Sequence, residues 1–187
     1  MIPGRRAEGR GCMATSIFEI ARRYGVGVEY HPEVPETQKL AGSSGMGCDV
    51  ERRVVLIEER VRGKEDPETL LHEIVHVIVN PPGVGIEVIH EGWILLQFER
   101  ALARQALTEE EYAAVVDYQT ATSIDLYEDD KWICILDDAP EPEKLSFWQE
   151  GVARCQLLGL LDEENRVTWQ PPDWSCLDAL DLPDWLM

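Results

Sequence analysis

The chain has 187 residues, 44% of them hydrophobic and 28% charged, with a formal net charge of −19. That length and apolar content suit a folded domain with a proper core and exclude a disordered chain. So acidic a surface repels phosphate backbones and anionic bilayers, which disfavours direct binding to nucleic acid or membrane, and it attracts a basic partner or basic substrate segment.

Residues 1–14 read as a flexible leader in which Arg5, Arg6 and Arg10 stand among glycines, and both Met1 and Met13 are candidate starts. No apolar run follows those basic residues, so a signal peptide is not expected, and no apolar stretch elsewhere is long enough to span a bilayer. The five cysteines, Cys12, Cys48, Cys134, Cys155 and Cys176, are odd in number, widely spaced and without a CxxC pair. Reduced thiols in a cytoplasmic protein are expected, and a cysteine-based metal site is disfavoured.

Ser16 followed by Glu19 has the form of a capping box opening a helix to Arg23, which Gly25 ends. Val26–His31 alternates apolar and polar residues, the period of a half-buried strand, and Pro32–Gly47 reads as loop. Arg53–Glu58 is a strand with a continuous apolar centre, and Gly63 marks a turn. Asp66-Pro67 is a strong helix start, and Asn80-Pro81-Pro82-Gly83 stops that helix. A second long helix is expected over Ile86–Leu107. Thr108 with Glu111 opens a third, to about Ile124. Residues 125–143 are acidic and proline-broken around WICIL, which fits strand or helix. Leu145–Leu161 reads as a last helix closed near Gly159, and Arg166–Gln170 as a short strand. Trp169, Trp174 and Trp185 in the tail read as satellite core.

The helix after Asp66 carries the chemistry. Its sequence, LLHEIVHVIV, places His72, Glu73 and His76 in an otherwise apolar run. Residues i and i+4 share one helix face, so both imidazoles can point at one ion. Glu73 then lies beside the open coordination position, where it can accept a proton from water. Neutral imidazoles in a tetrahedral set with one position left for water suit zinc. The plain alternative is a buried helix whose histidines are satisfied by hydrogen bonds alone.

Two histidines leave a third ligand to find. In the metzincin pattern a further histidine follows an intervening glycine; Pro82 holds that position, which excludes the class. The remaining candidates, all on the expected second helix, are Glu87, His90, Glu91 and Glu99. Glu91 is favoured, because Gly92 leaves room for close packing and its face continues with Ile94, Leu95, Phe98 and Leu102. Glu87, one turn earlier, is second. Glu99 is followed by Arg100 and reads as solvated. His90, Tyr112 and Tyr118 are candidates for a group that stabilises an oxyanion, and His31 reads as surface.

Over about residues 16–103 the chain resembles the ImmA/IrrE-type metallopeptidases of phages and mobile elements. The resemblance rests on the order of elements: an N-terminal helix, the YGVGVEY strand, the LAGSSGMG loop, the VVLIEE strand, DPETLLHEIVH and a second helix with a glutamate. The family's second helix usually reads Glu-Ala-Asn with a phenylalanine beyond, where this chain has Glu91-Gly92-Trp93-Ile94-Leu95. The resemblance implies an α+β fold: a small zincin-like domain with a short twisted sheet packed on the HExxH helix and a following ligand helix. It implies zinc on His72, His76 and Glu91, and Glu73 as general base; beyond its reach, residues 15–125 are read as the core and 126–187 as a helical C-terminal extension of unknown role. It further implies hydrolysis of a peptide bond in a specific intracellular protein, such as a transcriptional regulator. The competing expectation is a metalloprotease-like binding or adaptor protein that keeps zinc for stability.

Overall fold

The computed structural model describes residues 13–35, 45–80, 95–121, 125–128, 131–134, 149 and 151–176. The architecture is α+β.

Helix α1 (Met13–Arg23) begins three residues before the expected cap, so Ser16 lies inside it. The Glu19 carboxylate accepts from Arg22 (2.6 and 2.7 Å) and Arg23 (3.2 Å), one turn ahead. The C-terminus follows expectation. Gly25 sits at φ +65°, its N–H donates to the Arg22 carbonyl (3.2 Å), and the Val26 N–H donates to Ala21 (2.8 Å). This paired bond pattern with glycine in the left-handed conformation is the Schellman closure, and it turns the chain into β1 (Gly27–His31).

Strand β3 (Val54–Glu58) is the centre of a three-stranded sheet in the order β1-β3-β2, with β2 spanning Met46–Asp49. β1 runs parallel to β3, in the register Gly27↔Val54 to His31↔Glu58. β2 runs antiparallel, in the register Met46↔Ile57 to Asp49↔Val54. β2 corrects the reading of Pro32–Gly47 as loop. Its four residues, MGCD, have no β-branched member, and pairing with the fully buried β3 decides their conformation. Alternation along β3 divides the core: Val55 and Ile57 join the main cluster, whereas Val54 and Leu56 pack with Val34 on the other face.

Helix α2 (Pro67–Val79) lies against β2 and β3 and touches α1, α3 (Leu95–Ala106) and α4 (Glu109–Ala121). Every residue from Thr69 to Val79 is buried. Asp66 occupies the N-cap position without a side-chain cap bond, and the helix stops at Asn80, as expected. Its last turn is held from the sheet side. Arg53, itself at φ +55°, donates from Nη1 to the Val77 carbonyl (3.4 Å) and from Nη2 to the Tyr24 carbonyl (2.9 Å). One guanidinium thus satisfies carbonyls at the ends of both helices.

The expected second helix is described only from Leu95, as α3; residues 81–94 lie outside the described residues. The Thr108/Glu111 capping box forms. The Thr108 N–H donates to Glu111 Oε2, and the Glu111 N–H to Thr108 Oγ1 (3.4 Å). Beyond α4, β4 (Asp125–Glu128) and β5 (Lys131–Cys134) pair antiparallel, so Trp132, Ile133 and Cys134 of WICIL are strand, and Ile135 and Leu136 lie outside the described residues. Residues 151–157 form α5, and Gly159 closes it with the Schellman pattern seen at Gly25. Arg166–Gln170 makes only a single bridge, Leu161↔Val167, in place of a strand. Cys155, Leu158, Leu160, Leu161 and Val167 all enter the main core. Trp169 stacks on that core between Tyr24 (6.0 Å between ring centroids) and Arg23 (4.4 Å). Among the described residues no helix is long and apolar enough to cross a membrane.

A Cβ at position 25 would meet nothing within 4 Å, so the need for glycine there is conformational. Gly25→Ala is expected to cost about 1 kcal/mol of unfolding free energy, and Gly25→Asn less, because asparagine tolerates the left-handed region. Chemical denaturation of the two variants checks this.

Candidate metal centre

His72, Glu73 and His76 lie on α2, where its apolar residues force burial on all sides. His72 is 7% exposed, Glu73 1% and His76 2%. The two imidazoles stand at right angles, with ring centroids 4.6 Å apart and Nε2 facing Nε2 at 3.0 Å. The i, i+4 spacing therefore does bring both ring nitrogens to one point.

Glu73 faces the sheet, and Cys48 of β2 is its neighbour there. Burial raises the Glu73 carboxyl above the ordinary carboxylate range, and the Glu99 charge adds to that; His72 and the Cys48 thiol oppose it. Its Oε2 has no hydrogen-bond partner among the described residues. Burial also pushes the Cys48 thiol strongly upward, helped by the Glu73 charge.

Glu99 overturns an expectation. It is 0% exposed, not solvated. It projects from α3 behind His72, with Oε2 3.5 Å from His72 Nδ1. The same oxygen accepts from Gln119 Nε2 of α4 (2.7 Å), while Oε1 has no partner among the described residues. Arg100, whose presence suggested solvation, instead donates from Nε to Gln119 Oε1. Burial opposes charge on His72, but the Glu99 hydrogen bond and the charges of Glu99 and Glu73 outweigh it, so its pKa is raised. The signal for Glu99 was present in its spacing. It stands four residues after Leu95 and three before Leu102, both fully buried, and hence on the core face. Gln119 and Cys48 carried no comparable signal, because each comes from a distant segment.

The other candidates are not assembled here. Glu87, His90 and Glu91 lie outside the described residues, as do Trp185 and the side chain of Tyr118. His31 ends β1, at the sheet edge away from β2, and pairs with Glu29 Oε2 (3.1 Å). Tyr112 and Trp174 pack against the core. Among the described residues no three His, Cys, Asp or Glu side chains form a group that could hold an ion. A metal ion on the two imidazoles would need a further donor from outside the described residues.

The two imidazole nitrogens are spaced much as two members of a tetrahedral donor set would be. Tetrahedral coordination at zinc–nitrogen distances near 2 Å sets the two nitrogens about 3.3 Å apart, so a small outward turn of the rings from 3.0 Å would admit a zinc ion. Glu73 and Glu99 add two buried carboxyl groups beside the imidazoles, which when ionised would offset the charge of a divalent ion. Compared with family profiles, curated proteins and solved structures, the chain finds no significant match.

Burial and the raised thiol pKa protect Cys48. Under native conditions at about pH 8.5, where a free thiol is roughly half ionised, iodoacetamide should leave Cys48 unmodified and should label it once the protein is unfolded. Peptide mass spectrometry before and after denaturation measures this.

Proposed function

We propose that the protein is a zinc-dependent metallopeptidase of zincin-like fold, acting on a peptide bond in a protein substrate. The observation that carries this reading is the convergence of His72 and His76 Nε2 at 3.0 Å, with the carboxylate of Glu73 buried beside them and its Oε2 without a partner among the described residues. A hydrogen-bonded core pair would need no third ionisable group there, and stranding a carboxylate oxygen is costly.

His72, His76 and a third donor, for which Glu91 is the favoured residue, would hold a zinc ion, which would supply Lewis acidity toward water and the scissile carbonyl. Glu73 serves as general base. Its carboxyl, held above the ordinary carboxylate range by burial, would take the proton of the attacking water and return it to the leaving amine. The apolar side chains of α2 keep bulk water away and strengthen each electrostatic contact. The net charge of −19 favours a basic substrate segment, and the ImmA/IrrE resemblance favours a regulatory protein as target.

Elemental analysis of protein purified without added metal should find about one zinc per chain in the wild type, retained in Glu73→Gln and lost in His76→Ala and Glu91→Ala. Cleavage of a proteome-derived peptide library, read by mass spectrometry, should fall about 100-fold or more in Glu73→Gln. Wild-type protein that takes up no zinc even when it is supplied overturns the reading. Zinc retained with no cleavage by the wild type points to the adaptor alternative.

A further inference from the structure

The HExxH pattern accounts for two imidazoles facing one another, but not for a carboxylate buried behind one of them. Glu99 is fully enclosed, yet among the described residues only Oε2 is engaged: it accepts from Gln119 Nε2 and lies 3.5 Å from His72 Nδ1. Gln119 is itself fixed. Its amide nitrogen also donates to the Leu96 carbonyl (3.3 Å), and its oxygen accepts from Arg100 Nε. Both amide hydrogens and the amide oxygen are therefore assigned, which leaves Gln119 one orientation. Among the described residues, the other polar group near Oε2 is His72 Nδ1, and an ionised carboxylate there calls for an Nδ1–H donor.

We infer that Glu99 is a positioning residue for His72: it holds the imidazole in the Nδ1–H tautomer, so that Nε2 is presented toward His76 as an electron-pair donor, and Gln119 holds Glu99 in place. The role toward a metal rests on the metallopeptidase reading; the tautomer does not. Geometry assigns Glu99 this role and not that of a ligand, because its oxygen meets the ring nitrogen opposite the one that faces His76. A carboxylate behind a metal-binding imidazole fixes its orientation and raises its basicity. In water a neutral imidazole has no such restriction.

The test uses metal-free full-length protein, with histidine ring nitrogens observed by long-range 1H–15N NMR at about pH 9, well above the ordinary imidazole pKa. Wild type should show His72 as Nδ1–H. Glu99→Gln keeps an acceptor at the Oε2 position and should keep that tautomer, together with most of the zinc affinity measured by chelator competition. Glu99→Leu should lose the tautomer and bind zinc about 10–100-fold more weakly, with an altered visible spectrum of the cobalt-substituted protein. If Glu99→Leu does not fold, the wild-type tautomer and Glu99→Gln still decide. A proton on Nε2 of His72 in the wild type overturns the inference. So does a loss of zinc affinity in Glu99→Gln equal to that in Glu99→Leu, the result expected of a direct ligand. A wild type that shows Nδ1–H but binds no zinc removes the metallopeptidase reading and leaves the positioning of His72 standing.

Discussion

Helix α2 has no solvent face, and the rest of the structure answers to that constraint. A helix buried from Thr69 to Val79 needs apolar neighbours on all sides, and β2, β3, α1, α3 and α4 supply them. It also carries two imidazoles and a carboxylate into the same interior, where polar groups are stable only with partners. Each of those partners comes from a different packed element: Cys48 from β2, Glu99 from α3, Gln119 from α4. The packing that buries the motif is thus the packing that serves it.

The arrangement around His72 is asymmetric in a way that matters. One ring nitrogen faces another imidazole, and the opposite one faces a carboxylate. The two sides cannot both present donors and acceptors freely, because a neutral ring carries a single proton. Placing an anion on the Nδ1 side commits that proton, and the far side becomes the basic one. His72 is in this sense oriented by charge as well as by helix geometry.

The sequence revealed what is local and concealed what is not. The boundaries of α2 follow from Asp66-Pro67 and Asn80-Pro81, because chain-breaking residues act on their own neighbourhood. Gly25 and Gly159 mark their helix ends for the same reason. The two capping boxes separate the cases. Thr108 and Glu111 close theirs, whereas Glu19 is drawn to Arg22 and Arg23 and the helix extends past Ser16. The same three-residue spacing has two outcomes, decided by which charges stand a turn away. β2 was illegible because its strand character is conferred by β3. Glu99 was misread because its sequence neighbour Arg100 weighed more than its helical neighbours Leu95 and Leu102; the periodicity was the better guide.

The long spans between partners shape the order in which the centre can come together. His72 and His76 meet as soon as one helical turn forms, but the contact from His72 to Glu99 closes a separation of 27 residues and that from Glu99 to Gln119 one of 20. Closing such loops costs chain entropy that a single helix does not incur. The imidazole pair therefore needs only local structure, whereas its supporting network needs the docking of α3 and α4. An opening that lifts those two helices would take Glu99 and Gln119 from His72 and, with them, two of the faces that bury α2.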